Sequence, residues 1–251
     1  MEPKDINHKN ITRWRFIKPD WRITAATLVF SALTIAAGQW QQGRAAYKEA
    51  LQQRYDERSA APAAELSDGP LDAEDFDQRP VRVRGTYESK YSILIDNKVH
   101  RGRAGYHVLT PLKIGNTDAY VLVNRGWIAQ GRTREELPRV PMPQGAQEIE
   151  GIAVLPSTRF LELKNAAEGK GEGPVWQNLQ LARYGEWSGL RVQPIVIEQT
   201  NDAKDGLLRE WPRSDFGIEK HRIYAMQWYS FCILTVLLYV FFHFKRIPRA
   251  G

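Results

Sequence analysis

Cysteine is nearly absent from this sequence, because Cys232 is the only one among 251 residues. A single cysteine excludes a disulfide framework within the chain and any metal site built from several thiolates. Cys232 lies in an apolar stretch, where a lone thiol behaves as a small hydrophobic side chain. Common catalytic motifs are also missing, namely GxSxG, HExxH, CxxC, the P-loop and GxGxxG. The motif evidence therefore makes an enzyme the weaker hypothesis.

The middle of the chain has no excess of either positive or negative charge, although the net charge of the whole chain is +6. The first 22 residues hold six basic and three acidic side chains, and residues 245–251 hold three basic and no acidic ones. Between these tails, 26 basic residues balance 26 acidic ones. Basic tails beside apolar segments are typical of membrane orientation signals. We therefore expect no nucleic-acid partner.

Formally charged residues are absent from Ile223 to Phe242, where large apolar and aromatic residues dominate. About 20 such residues span the roughly 30 Å core of a bilayer, so we predict a transmembrane helix over 221–244. A second apolar run predicts a transmembrane helix over 23–40, with Trp40 as its interfacial aromatic residue. The alternative for this run is a cleavable signal peptide with its cleavage site at Ala36–Gly38.

The positive charge of both tails predicts that they lie on the same side of the membrane. We expect residues 1–22 and 245–251 to be cytoplasmic. Residues 41–220 then form a domain on the opposite side. Within it, the composition of residues 43–58 predicts a helix that continues the first span, and residues 59–78 read as a loop.

Beyond that loop, the alternation of apolar and polar residues predicts a mainly-β domain. Asn97 and Gly126 are expected to lie in turns, and a hairpin is expected at Gly115-Asn116. The strand spacing suggests a small antiparallel β-barrel or sandwich in an α+β domain. The predicted strands are 81–87, 92–96, 106–112, 119–124, 149–155 and 192–197, with connectors at 134–145 and 168–173 and a short helix at 179–190. The fold class is thus a membrane protein whose two terminal helices flank an extracytoplasmic mainly-β domain.

His221 is the candidate functional residue, because it precedes the second apolar run. Helical spacing places it on one face with Tyr224, Ala225 and Trp228. Imidazole is a common axial ligand of haem iron, and this face offers it an apolar and aromatic surround. The alternative is an interfacial histidine that only anchors the helix. His243 lies about 33 Å further along the helix and cannot share a ligand with His221.

Cations near this histidine could pair with the propionates of a haem. Lys220 and Arg222 flank His221 in the sequence. Arg44 lies just beyond the end of the first predicted span. We therefore include Arg44 and Arg222 in the candidate cofactor site.

Four segments together resemble the surfeit-locus family of cytochrome oxidase assembly proteins. They occur in the family's order and are framed by the two predicted spans. The segments are GQWQQGR (38–44), DNKVHRGRAGYHVLTPL (96–112), VNRGW (123–127) and KHRIYAMQWYS (220–230).

The resemblance implies an assembly factor for haem-copper terminal oxidases that is not an enzyme. The family's proposed haem ligand falls on His221, and the family tryptophan of the second span falls on Trp228. Haem a is the implied cofactor, loosely or transiently held. The implied partners are the oxidase catalytic subunit, haem a synthase and the lipid bilayer. A cofactor-free membrane scaffold for the immature oxidase subunit remains the alternative.

The N-terminal tail contains acidic residues, which are scarce in mitochondrial transit peptides. With the resemblance, this points to a bacterial family member. We therefore expect location in the inner membrane, with both termini cytoplasmic and the main domain periplasmic.

Overall fold

The computed structural model describes residues 12–131, 133, 136–156, 173–212 and 216–248. The predicted connector at 168–173 lies outside these residues except for Gly173. The chain divides into two compact units. The hairpin unit comprises Met1–Gln52 and Ser214–Gly251, and the β unit comprises Gln53–Arg213.

The hairpin unit is built on two helices, α1 (Trp21–Ser59) and α4 (Ile218–His243). Both are long and apolar enough to cross a membrane. Helix α1 is continuous over 39 residues. This confirms the predicted helix at 43–58 as a continuation of the first apolar segment. The described parts of the two tails form an antiparallel pair of strands, β1 (Thr12–Phe16) and β10 (Phe244–Pro248), which the sequence analysis did not predict.

Small side chains line the face of α1 that packs against α4. The buried positions of α1 are Thr34, Gly38 and Ala45, and Ala225 is buried on α4. Spacings of four and seven residues keep the positions on one face, and small residues let two helix backbones approach closely. Towards the far end of the hairpin, the Thr24 and Tyr239 hydroxyl oxygens lie 2.8 Å apart.

The outward faces of both helices are apolar. Large side chains there are strongly exposed, including Leu28 at 65% on α1 and Phe241 at 69% on α4. An apolar surface of this extent is unfavourable in water and suits lipid tails.

The described part of the β unit contains the remaining strands, two short α-helices and a 3₁₀ helix at Ser89–Tyr91. All six predicted strands and the predicted short helix are confirmed, whereas β2, β8 and α2 are too short to leave a periodic signal. The strands are β2 (Ala64–Glu65), β3 (Pro80–Tyr87), β4 (Ile93–His100), β5 (Arg103–Ile114), β6 (Ala119–Ala129), β7 (Ala146–Val154), β8 (Val175–Trp176) and β9 (Arg191–Gln199), and the helices are α2 (Ala73–Phe76) and α3 (Leu181–Ser188).

The strands form one mixed sheet in the order β2-β3-β7-β9-β6-β5-β4-β8. An additional pairing between β3 and β5 closes β3, β7, β9, β6 and β5 into a barrel. The expectation of an antiparallel sheet was wrong, because β6 pairs parallel with β9 and two short pairs are also parallel. Hydrophobic alternation is the same in parallel and antiparallel strands, so it could not reveal this.

The barrel interior is apolar. Alternate residues of each strand point inwards, among them Val83, Val121, Val123, Ile195 and Ile197, all fully buried. The residues between them, including Leu122 and Val196, pack in a second cluster with Trp176 and Tyr184. Both faces of β6 and β9 are therefore covered by apolar packing.

Two predicted turns are instead irregularities within longer strands. Asn97 has a positive φ of 60° and lies in a bulge of β4, which continues to His100. Strand β6 does not end at Asn124, because its pairing with β5 skips Arg125 and resumes at Gly126. The bulge leaves Arg125 fully buried, where it donates to the Asp205 carboxylate over 2.8 Å. A bulge and a turn use the same residue types, which explains both errors.

Candidate functional site

His221 lies in the first turn of α4, and its ring contacts α1. Its Nδ1 atom is 2.7 Å from Oε1 of Gln41. Because an amide oxygen only accepts hydrogen bonds, Nδ1 carries the proton and Nε2 keeps its lone pair. No hydrogen bond joins Nε2 to another residue in the described part of the chain. The imidazole is thus held in the tautomer that presents Nε2 as a metal ligand.

Two small residues of α1, Gly38 and Ala45, lie on either side of Gln41 and bring it into reach of His221. Gly38 lies one turn before Gln41, and the Tyr229 ring of α4 lies directly against its backbone. Ala45 lies one turn beyond, on the same face of α1. Neither Gln41 nor Tyr229 was identified individually from the sequence. Gln41 does, however, lie in the GQWQQGR segment that carries the family resemblance.

The two cations predicted for the site, Arg44 and Arg222, lie in different surroundings. Arg222 donates from Nε and Nη2 to Oε1 of Glu49, at 3.1 and 2.7 Å, in an exposed ion pair. Arg44 is exposed, and its charge and that of Lys48 act on the His221 ring. The surround of the imidazole is therefore electropositive, with α1 supplying two of the cations.

The predicted aromatic surface is only partly formed. Ala225 is buried and Trp228 is half-buried, with its ring centroid 6.0 Å from that of Phe231 in an edge-to-face contact. Tyr224 is 52% exposed, more than the other three members of the predicted face. The buried stripe of α4 follows positions 221, 225 and 228, which leaves Tyr224 to one side.

An imidazole oriented in this way would fit a haem iron as a ligand. Metal-bound histidines characteristically donate their second ring N–H to an oxygen, as His221 does to Gln41. In the hairpin unit the other described histidine, His243, lies at the opposite end of α4 and contacts the Tyr239 carbonyl through Nδ1 at 2.6 Å. No group of three or more potential metal ligands occurs among the described residues.

The fold defines a class of protein in which two helices able to cross a membrane flank a mixed-sheet barrel domain. The SURF1 family model matches residues 28–233, and the chain belongs to this family. This confirms the resemblance seen in the sequence, and the match includes most of both helices and the whole barrel.

Curated relatives match over most of their own length. Surfeit locus protein 1 of Xenopus tropicalis is 24% identical over 229 residues, covering 84% of this chain and 73% of the relative. A SURF1-like protein of Monosiga brevicollis is 24% identical over 240 residues, covering 90% and 89%. A SURF1-like protein of Drosophila melanogaster is 27% identical over 245 residues, covering 88% and 77%.

Proposed function

We propose that this protein is an assembly factor for a haem-copper terminal oxidase that binds haem a at the membrane interface and passes it to the catalytic subunit. The observation that carries the proposal is the hydrogen bond between His221 Nδ1 and Gln41 Oε1. It selects the tautomer that a ligand histidine needs and fixes the direction of Nε2.

Each residue of the hairpin site then has a distinct role. His221 would hold the haem through a bond from Nε2 to the iron, and the bound haem would supply the metal centre. Gln41 orients the imidazole. Arg44 and Arg222 pair with the propionates, for which Arg222 must share its guanidinium with Glu49. Trp228 contributes apolar surface beside the macrocycle.

Loose binding is an expected property of this site. His221 is the one described histidine at this end of the hairpin, and its ring is half-buried. A carrier must exchange its iron ligand when it delivers the cofactor, so a single accessible ligand favours release. We propose a role in holding and transfer, without catalysis of a covalent reaction.

The proposed setting is the inner membrane of a bacterium, with both helices spanning it, both termini cytoplasmic and the barrel periplasmic. The proposed partners are the oxidase catalytic subunit, which receives the haem, and haem a synthase, which supplies it. Single cysteines introduced into a Cys232→Ala chain test the orientation. A cysteine at exposed Ser67 should react with an impermeant maleimide added outside spheroplasts, and one at Asn10 should react only after lysis. The reverse pattern would refute the orientation.

A cofactor-free scaffold is the second candidate function. The same bond between Gln41 and His221 also ties the two helices together, and polar contacts of this kind stabilise helix pairs in membranes. On this hypothesis the hairpin and barrel hold the immature oxidase subunit, and His221 has only a structural role.

Absorption spectroscopy separates the two functions. The detergent-solubilised chain is purified from cells that make haem a, beside His221→Ala, Gln41→Leu and the control variant His100→Ala. The haem hypothesis predicts a Soret band in the native chain that is lost in His221→Ala and retained in His100→Ala. Gln41→Leu should keep some haem but shift the band, because the imidazole loses its hydrogen-bond acceptor. The absence of a band in the native chain would instead support the scaffold.

A further inference from the structure

A pocket of about 260 Å³ lies in the β unit, on the outside of the barrel. It is lined by residues of β4, β5, β6, β7 and β9 and by Asn178 and Leu179, which precede α3. Val196 and Glu198 line it, and they alternate with Ile195 and Ile197, which fill the barrel interior. The pocket is therefore separate from the apolar barrel core.

One residue that lines this pocket, Asn124, has a buried polar atom without a partner among the described residues. Asn124 is only 6% exposed, and its Nδ2 donates to Nδ1 of His107 over 3.3 Å. Its Oδ1 is fully buried and accepts no hydrogen bond from any described residue. Buried acceptors are almost always satisfied, because leaving one unpaired is costly. An unpaired acceptor on a residue that lines a pocket points to a ligand with a hydrogen-bond donor.

His107 supplies the complementary donor. Since Nδ1 accepts from Asn124, the ring proton lies on Nε2. Burial, together with the charge of Lys98, lowers the pKa of His107 to about 4, so the ring is neutral at pH 7. The pocket thus offers an imidazole N–H donor close to a carboxamide oxygen acceptor.

The charges that face the pocket balance one another. Lys98 and Glu198 both line it. Burial raises the pKa of Glu198, and the positive charge of Lys98 opposes this rise. An anionic ligand would meet the carboxylate of Glu198, and a cationic one would meet the ammonium of Lys98. The pair therefore favours a ligand without net charge.

Apolar side chains form the rest of the wall. They present aliphatic groups to the pocket. The apolar lining residues include Ile95, Leu109, Val154, Leu179 and Val196. A ligand that fills the pocket must therefore pair a polar group with an apolar body.

We propose that this pocket binds an uncharged ligand that carries an amide group on an apolar body. The amide N–H donates to Oδ1 of Asn124, and the amide carbonyl accepts from Nε2 of His107 or from Lys98. The apolar body packs against the aliphatic wall. The inference is independent of the proposed haem function, because it uses only residues of the β unit.

Benzamide is a suitable probe, and binding is followed by NMR of the detergent-solubilised full chain with ¹⁵N-labelled histidine rings. We expect saturable shifts of the His107 ring resonances with a dissociation constant of about 1 mM, as for a ligand of this size. Benzoate and benzylammonium are similar to benzamide in size but carry opposite charges, so they should bind at least tenfold more weakly. No shift with benzamide, or equal binding of benzoate, would overturn the proposal.

Two variants test the assignment of the residues. Asn124→Leu removes the unpaired acceptor and should weaken benzamide binding at least tenfold. Asn116→Leu, in the exposed turn between β5 and β6, is the matched control and should bind normally. If Asn124→Leu does not fold, Leu179→Trp fills the pocket from its wall and should abolish the shifts. Unchanged benzamide affinity in a folded Asn124→Leu or Leu179→Trp chain would refute the site.

Discussion

Gly38 provides a sharp test of how the two helices pack. A Cβ atom added at this position would lie 2.5 Å from Cε1 and 2.7 Å from Cζ of the Tyr229 ring. Ordinary contacts begin at 3.4 Å, so the ring must move by about 0.9 Å for the alanine variant to fit. Displacement of a packed aromatic ring costs about 1–3 kcal/mol.

The matched control is Gly43, in the same helix, where an added Cβ meets nothing within 4 Å. Alanine is favoured over glycine in a helix by about 1 kcal/mol at either position. Gly43→Ala should therefore stabilise the chain by about 1 kcal/mol, whereas Gly38→Ala should be neutral or destabilising by up to about 2 kcal/mol. The difference between the two variants, about 1–3 kcal/mol, isolates the collision with Tyr229.

The assay is equilibrium unfolding in mixed micelles of mild detergent and dodecyl sulfate, followed by circular dichroism. The penalty at Gly38 should disappear when Tyr229 is replaced by alanine, which a double-mutant cycle measures as a coupling energy. Equal stabilisation by Gly38→Ala and Gly43→Ala would refute the packing of α1 against α4.

Two further predictions concern the β unit. Asp205→Asn leaves the fully buried Arg125 guanidinium without its counter-charge and should lower the free energy of unfolding by about 3–5 kcal/mol in chemical denaturation. The control Glu210→Gln, in an exposed ion pair, should lower it by less than about 1 kcal/mol. Similar losses in the two variants would contradict the buried pair. Because the pKa of His107 falls from 6.5 to about 4 on folding, its contribution to stability is complete above pH 6.5 and is lost as the pH falls through 4. The stability lost between pH 6.5 and 4 amounts to about 3 kcal/mol. His107→Asn should therefore flatten the pH dependence of the unfolding midpoint over this range. An unchanged pH dependence in this variant would contradict the prediction.

The strand predictions succeeded where side chains alternate and failed where the backbone departs from regular pairing. Residues 81–87 alternate between apolar and polar, and β3 occupies 80–87. At Asn97 and Gly126 the sequence shows residues that tolerate positive φ, which suit a bulge as well as a turn. The partner strand decides between the two, and a single strand's sequence does not contain that information.

The candidate site divides in the same way. His221 could be singled out because it is an imidazole at the start of an apolar run with cations beside it. Gln41 could not be assigned its role, because 180 residues separate it from His221 and only the antiparallel packing of α1 and α4 brings them together. Arg222 follows His221 directly in the sequence, but its ion pair with Glu49 depends on the same packing.

The sequence by itself determined the elements whose signal is local. Length and apolar composition were enough for the two long helices, alternation was enough for the six longer strands, and four short segments were enough for the family. Tertiary structure alone decided the parallel pairing of β6 with β9, the closure of the barrel through β3 and β5, and the tautomer of His221. Each of these depends on contacts between residues far apart in the chain, and such contacts leave no periodic trace in the sequence.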